Sequence, residues 1–278
     1  MNADSTPQWG NSYRLIASEK WKAKSAAMGR DVTEALVEYA HPKPGMKVLD
    51  LASGTGEPAI SLASRVRPAG HVTALDLSSE LLQIAAERAQ QRKLTNFSIR
   101  QADAHELPFP HESFDLVTSR FGVMFFQNTQ KALREVHRVL KRGARTCFLA
   151  WGPFEQPYWS STMGIVAKHM GGPVLVRGGP DPFKFGRPGS LSAELHAAGF
   201  ADVDEKTTTL PWTWPGTAEE VWEQAQAVAT PFLPLLQRVR AEQRHEIDRD
   251  VLSTIQEYAD GDCIKFGAVV VLASGTKS

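Results

Sequence analysis

The sequence predicts an α/β fold built on a doubly wound, mostly parallel sheet. Its first half alternates short apolar runs with segments of helical spacing, which is the pattern of βαβ units. The clearest unit starts with the apolar run at residues 48–51, passes through small residues at 52–56 and resumes helical spacing at Ile60. A strand, a small-residue loop and a helix in this order begin a nucleotide-binding unit.

Two kinds of ligand are considered for this loop, a dinucleotide and S-adenosylmethionine. Residues 54–59 formally satisfy the dinucleotide pattern G-x-G-x-x-A, which alone is a weak signal. Asp50 lies just before the loop, where a dinucleotide places its pyrophosphate, and its carboxylate would repel that group. A ligand with a positively charged amino acid group, such as S-adenosylmethionine, would instead be attracted. A structural role for Asp50 in holding the loop backbone is compatible with this interpretation.

Two further acids follow the next two predicted strands. Asp76 ends the run at residues 71–76, twenty residues after Gly56, where an acid can accept hydrogen bonds from both ribose hydroxyls. Asp103 follows the next strand and can accept from an adenine amino group. The three carboxylates are expected along one edge of the sheet, and they predict a site for an adenosine-containing ligand.

Residues 45–152 resemble the Rossmann-like S-adenosylmethionine-dependent methyltransferases, in the small-molecule group that includes the ubiquinone and menaquinone C-methyltransferases. Five matching pieces occur in the order of that family, at residues 48–56, 74–78, 103–109, 113–117 and 133–143. The resemblance implies that an antiparallel pair of strands ends the sheet. It also implies S-adenosyl-L-methionine as cofactor, with contacts from Asp50, Ala52, Ser53, Gly54, Thr55, Gly56, Asp76, Leu77, Asp103, Ala104 and Arg120.

Two parts of the chain are predicted: a helical N-terminal cap at 1–45 and the methyltransferase domain at 46–278. Helical spacing over 18–40 predicts one helix in the cap. In the methyltransferase domain, a helix is predicted at 79–93 with Ser78 as its N-cap. The fourth strand is predicted at 114–119. Asn128 is expected to cap the next helix, Gly143 to end it, and a fifth strand to follow at 145–150.

Beyond Pro153 the matching pieces stop, and lid segments are predicted at about 153–190 and 212–260. Residues 203–210 alternate as a strand, and residues 217–220 form a capping box that opens a helix to Ala229. A second helix carries Ile247, Val251, Ile255 and Tyr258 on one face. A closing strand is predicted at 264–273. The resemblance implies that the two helices at 217–260 are an insertion between the last two strands, over the acceptor site.

The loop at 120–126 is unusually apolar for a surface connection and is expected to line the reaction chamber. The family typically has Phe-Gly-apolar-Arg-Asn here, but this chain has Met124 and Phe125 at the last two positions. A thioether and a phenyl ring cannot stabilise an oxyanion. The expected acceptor pocket consists of Tyr13, Phe121, Met124, Phe125, Trp151 and Phe183.

Composition and charge bear on whether the chain binds nucleic acid, membranes or metal ions. The chain has 31 basic and 31 acidic residues, so charge gives no argument for binding nucleic acid or an acidic membrane. The N-terminal sequence lacks the order of a signal peptide, and no run approaches 18 apolar residues. Cytoplasmic location is therefore expected. Cys147 and Cys263 are interpreted as core residues, and the eight histidines lack metal-site spacing, so no metal is predicted.

The main hypothesis is methyl transfer to N, O or S of a small, largely apolar or aromatic acceptor. The alternatives are a C-methyltransferase of a quinone precursor, an NAD-dependent oxidoreductase and a non-catalytic adenosyl-binding protein. No catalytic residue is assigned. Tyr13, His105, His111 and His169 are the candidates for a general base, which an already nucleophilic amine, thiolate or phenolate would not need.

Overall fold

One mixed sheet organises the computed structural model, which describes residues 20–278 apart from the side chain of Lys22. Its strands are β1 (Lys47–Leu51), β2 (His71–Asp76), β3 (Phe97–Gln101), β4 (Phe114–Arg120), β5 (Leu140–Trp151), β6 (Ala201–Trp214), β7 (Ala259–Asp260) and β8 (Cys263–Thr276). Their order is β3-β2-β1-β4-β5-β8-β6, and β7 pairs with β8. The first five strands pair in parallel, whereas β8 is antiparallel to both β5 and β6.

Helices connect the strands and cover the sheet. They are α1 (Lys22–Met28), α2 (Arg30–Ala40), α3 (Ala59–Arg65), α4 (Ser79–Gln91), α5 (Thr129–Val139), α6 (Pro157–Trp159), α7 (Ile165–Met170), α8 (Ser190–Ala197), α9 (Ala218–Val228), α10 (Leu233–Leu236) and α11 (Ala241–Gln256). A π-helical segment, Ser160–Gly164, joins α6 to α7. The strand order reverses at β1: β2 and β3 follow on one side of it, and β4 and β5 on the other. Ligands of such folds bind at this switch point.

The central strands are buried on both faces, as expected for parallel strands covered by helices. Val48, Leu49 and Leu51 of β1 and Leu116 and Val117 of β4 are fully buried. The register aligns Asp50 of β1 with Ala74 of β2 on one side and with Thr118 of β4 on the other. This pairing brings the carboxyl ends of the three strands to one edge of the sheet.

The first half of the chain confirms the predicted α/β fold, with several corrected boundaries. The predicted helix at 18–40 is broken at Gly29 into α1 and α2. Ser78 and Asn128 cap α4 and α5, each accepting a backbone N–H. Gly143 does not end α5: the helix stops at Val139, and Gly143 lies inside the longer strand β5, where its N–H bonds to the Lys277 carbonyl.

In the second half, the capping box at Thr217 is present and opens α9. Ile247, Val251 and Ile255 form the buried face of α11, but Tyr258 follows the helix. Strand β6 continues to Trp214, so that residues 212–214 belong to the sheet and α9–α11 lie between β6 and β8. Cys147 and Cys263 are free thiols. Within residues 20–278, no helix combines the length and apolar composition needed to cross a membrane.

Candidate active site

The loop after β1 is held by its own hydrogen bonds and by positive backbone angles. Gly54 and Gly56 have φ of 53° and 110°, and Ala52 also adopts a positive φ of 52°. The Ser53 N–H donates to the Leu75 carbonyl at 3.0 Å, and its hydroxyl donates to the Asp50 carbonyl at 2.8 Å. The φ of Gly56 lies in the region that favours glycine, and a Cβ there would also lie 2.6 Å from Ile60 Cδ1. Thr55 accepts from Arg88 through its carbonyl.

Asp76 connects this loop to the end of β2. Its Oδ2 accepts the Gly54 N–H at 2.8 Å, and its Oδ1 accepts the Ser78 N–H at 3.0 Å. The residue is 8 % exposed. Each carboxylate oxygen has a second acceptor position, so Asp76 can hold the loop and accept further hydrogen bonds from a ligand.

Asp50 is completely buried below the loop. Its Oδ1 accepts from the Thr118 hydroxyl at 2.7 Å, whereas its Oδ2 has no hydrogen-bond partner among residues 20–278. Burial raises the pKa of Asp50 to about 7, against the lowering effects of Thr118, Ser53 and the positive charge of Arg120. A buried, half-satisfied carboxylate at this place favours a cationic ligand group.

Arg120 supplies a buried positive charge at the end of β4. One terminal nitrogen donates to the Thr33 hydroxyl at 2.7 Å and to the Gly29 carbonyl at 3.4 Å, which ties the site to α2 and the residue before it. Its Nε has no partner within the described part of the chain. Burial lowers the pKa of Arg120, opposed by the negative charges of Glu57 and Asp50. The sequence did not indicate Gly29 and Thr33, because their contacts with Arg120 are tertiary.

The predicted adenine contacts lie beyond β2 and β3. Asp103 is two residues past β3, and its Oδ1 accepts from the backbone N–H of His105 at 2.8 Å and contacts His105 Nδ1 at 2.5 Å. Burial of Asp103 opposes ionisation, but these bonds hold its pKa below the usual value. Ala104 is buried, and Leu77 is 47 % exposed.

Aromatic side chains gather where β4 and β5 end. The aromatic cluster comprises Phe121, Trp151, Tyr158, Trp159, Phe183, Trp212 and Phe232. Phe121 stacks on Trp151 with 4.3 Å between ring centroids, and Trp151 contacts Trp159 and Trp212 edge to face at 5.5 and 5.1 Å. Phe183 and Phe232 lie 5.6 and 5.1 Å from Trp159. The structure therefore brings together three residues of the predicted acceptor pocket: Phe121, Trp151 and Phe183.

The loop after β4 places the cluster against the glycine loop. A Cβ on Gly122 would lie 2.6 Å from the Cβ of Ala52, so only glycine permits this approach. Met124 is 3 % exposed in the one-turn helix Val123–Phe125, and Phe125 packs partly buried against the core. Tyr13, the remaining predicted pocket residue, lies outside the described residues.

The candidate bases differ in their surroundings. Both ring nitrogens of His105 are engaged, one by Asp103 and the other as acceptor of the Asn128 N–H at 3.2 Å. His169 pairs with Asp250 of α11 at 2.9 Å, outside the aromatic cluster. His111 is exposed. In the part of the chain that the structure describes, no three His, Cys, Asp or Glu side chains are grouped to hold a metal ion.

Comparison with known proteins agrees with this geometry. A family model described as a methyltransferase domain matches residues 42–151. The ubiquinone/menaquinone biosynthesis C-methyltransferase UbiE of Rhizobium etli is 39 % identical over 136 residues, which are 48 % of this chain and 53 % of that protein. The same enzyme from another Rhizobium etli strain is 38 % identical over 201 residues, 66 % of this chain and 77 % of the relative. The match thus spans about half the length of the first relative.

Solved structures show the same fold at lower identity. The YcgJ protein of Bacillus subtilis has a TM-score of 0.57 and 21 % identity, covering 88 % of this chain and 97 % of its own. Phosphoethanolamine N-methyltransferase 2 of Haemonchus contortus, solved in complex with S-adenosyl-L-methionine, has a TM-score of 0.57 and 19 % identity, covering 96 % of this chain and 60 % of its own. The fold and site define a Rossmann-like α/β protein with a methyltransferase domain. The chain belongs to the S-adenosylmethionine-dependent methyltransferases.

Proposed function

We propose that the chain transfers the methyl group of S-adenosylmethionine to nitrogen, oxygen or sulfur of a small, largely apolar or aromatic acceptor. The observation that carries the proposal is the contact between Gly122 and Ala52, which joins the aromatic cluster to the glycine loop. A cofactor lying in the loop would then face an aromatic chamber. The cofactor supplies a methyl group bonded to a positively charged sulfur. A nucleophile of the acceptor can attack the methyl carbon directly.

The buried charges beside the loop fit the amino acid end of this cofactor. Among residues 20–278, Asp50 Oδ2 and Arg120 Nε are both buried without a hydrogen-bond partner. One is an acceptor on an acid and the other a donor on a cation. We assign Asp50 to the ammonium and Arg120 to the carboxylate of the methionine part. Asp50 Oδ2 then accepts a hydrogen bond and Arg120 Nε donates one, so that both buried atoms are satisfied.

The remaining contacts follow the order of the strands. We assign Asp76 to the ribose hydroxyls, Asp103 to the adenine amino group, and Leu77 and Ala104 to the ring faces. The backbone of Ala52, Ser53, Gly54, Thr55 and Gly56 surrounds the middle of the ligand. The lid segments then exclude water, and the aromatic cluster orients the acceptor for in-line attack. The aromatic cluster as defined contains no histidine, and both ring nitrogens of His105 are engaged, so acceptors that are already nucleophilic are favoured.

Binding of S-adenosylhomocysteine, the product that the cofactor leaves after methyl transfer, should release a proton near neutral pH. Asp50 is largely protonated below its pKa of about 7, and an adjacent ammonium favours the ionised carboxylate. Affinity for S-adenosylhomocysteine should therefore rise by up to about tenfold between about pH 6 and about pH 8. Titration calorimetry in two buffers of different ionisation enthalpy measures the released proton. Asp50→Asn should abolish the release, and an enthalpy independent of buffer in the unmodified chain would contradict the assignment.

An acceptor screen tests the proposed reaction. Purified chain is incubated with methyl-labelled S-adenosylmethionine and a panel of aromatic amines, phenols and thiols, and products are identified by mass spectrometry. Label on nitrogen, oxygen or sulfur is expected. Cofactor binding without transfer to any acceptor would favour the non-catalytic alternative.

Ring-carbon methylation of a quinone precursor is the second candidate, because the matched relatives are named C-methyltransferases. A demethylquinone in the same screen separates the two reactions. Efficient C-methylation would contradict the main proposal and support this second reaction.

The cytoplasmic location and the absence of a nucleic acid partner stay predictions.

Methyl transfer should also be insensitive to chelation. The described residues offer no grouped set of metal ligands, and attack on a sulfonium methyl needs no Lewis acid. Initial rates with the best acceptor should be unchanged by excess EDTA. A loss of rate that Mg²⁺ restores would reveal a metal-assisted mechanism.

A further inference from the structure

Two tryptophans of the aromatic cluster have buried polar groups that the proposed reaction does not use. The indole nitrogens of Trp159 and Trp212 are buried, and neither has a hydrogen-bond partner among residues 20–278. The two side chains are 7 % and 8 % exposed. Two other buried tryptophans differ: Trp214 donates to Glu220 at 3.1 Å, and Trp222 donates to Asp248 at 2.8 Å.

An indole N–H that is removed from water without a partner carries a free-energy cost. Two such costs in one cluster are unusual, because buried polar groups are nearly always satisfied. Both tryptophans contact Trp151, which stacks on Phe121 one residue before Gly122. The two N–H groups therefore lie within the aromatic cluster, whose Phe121 adjoins the glycine loop through Gly122.

The surroundings restrict what these groups can bind. The cluster consists of uncharged rings, and an ion placed among them would lose its hydration without a counter-charge. Arg120 lies 5.9 Å from the Phe121 ring, and its guanidinium donates to Gly29 and Thr33. Indole N–H groups only donate, so their partner must be an acceptor. A neutral oxygen on a planar ring meets both conditions.

We propose that Trp159 and Trp212 each donate a hydrogen bond to a carbonyl or ether oxygen of a neutral aromatic acceptor. Such an oxygen is distinct from the atom that receives the methyl group. The inference rests on the proposed function, since it names the class of acceptor for the same site. It predicts selectivity between ring systems of equal shape that differ in one such oxygen.

Tryptophan indole NMR tests the proposal without measuring activity. The chain is labelled with ¹⁵N at its seven indole nitrogens, saturated with S-adenosylhomocysteine and titrated with 7-hydroxycoumarin or with 2-naphthol. Both probes are bicyclic phenols, and only the coumarin has a ring carbonyl. The Trp159 and Trp212 signals, assigned by single Trp→Phe variants, should move downfield with 7-hydroxycoumarin and not with 2-naphthol.

Affinity provides the second readout. Trp159→Phe and Trp212→Phe should each weaken 7-hydroxycoumarin binding by about three- to tenfold more than they weaken 2-naphthol binding, because both probes lose ring contact and only the coumarin loses a hydrogen bond. Trp222→Phe, whose indole already has a partner, is the matched control and should affect neither probe. Absence of downfield shifts with 7-hydroxycoumarin, or equal responses to both probes, would show that the N–H groups only face neighbouring rings and would overturn the proposal.

The inference and the proposed function fail differently. A chain that methylates phenols but does not distinguish the two probes retains the function and loses the inference. A chain that binds S-adenosylhomocysteine and shows the indole shifts, yet methylates nothing in the screen, retains the site and loses the function.

Discussion

Met124→Arg should reduce methyl transfer by at least about a hundredfold. Met124 is 3 % exposed, and it lies in the turn that follows Gly122 beside the glycine loop. A guanidinium buried there without a counter-charge costs several kcal/mol, which corresponds to more than two orders of magnitude. Initial rates with the best acceptor from the screen measure the effect.

Met124→Leu is the matched control, because it conserves volume and polarity and should cost less than about 1.5 kcal/mol. Thermal unfolding of both variants separates loss of the fold from loss of the chamber, and rates are compared below both transitions. A Met124→Arg chain that is folded and fully active on its best acceptor would show that residue 124 does not face an apolar chamber. It would also remove the reason for expecting an apolar acceptor.

Asp76→Ala should weaken cofactor binding by at least about tenfold. The charge-assisted bonds assigned to the ribose contribute about 1.5–3 kcal/mol each, and the variant also releases the Gly54 and Ser78 N–H groups that Asp76 now binds. Titration calorimetry with S-adenosylhomocysteine measures the change.

Asp115→Ala is a suitable comparison, since Asp115 bonds the Lys47 N–H and Lys141 near the start of the strands, away from the loop. It should alter stability without altering affinity. If Asp76→Ala binds as tightly as the unmodified chain, the ribose assignment is wrong, and the main anchor of the cofactor site is lost.

The sequence predicted the fold and the glycine loop because both depend on local patterns. Apolar runs gave β1 and β2, and Ser78, Asn128 and Thr217 gave three helix starts, because a cap acts on backbone groups within one turn. Boundaries without such a local signal were less accurate. Gly143 follows α5 in sequence, but pairing with β8 places it inside a strand.

Long-range contacts of the site could not be predicted in this way. Thr118 bonds to Asp50 because β1 and β4 are neighbours in register, a pairing that depends on the whole sheet order. Trp159 and Trp212 are far apart in sequence, and each contacts both Trp151 and Tyr158 only in the folded chain. Their aromatic composition was evident, but their unpaired N–H groups, within the described residues, are a property of the packed cluster.

The hydrogen bonds from Arg120 to Gly29 and Thr33 affect how much of the chain can be removed. The family model matches residues 42–151, yet a fragment cut at that boundary would lose both acceptors of a buried guanidinium. It would also lose β8, which covers the open side of β5. The smallest autonomous folding unit is therefore longer than the matched segment at both ends, and a minimal expression fragment should begin before Gly29 and retain β8.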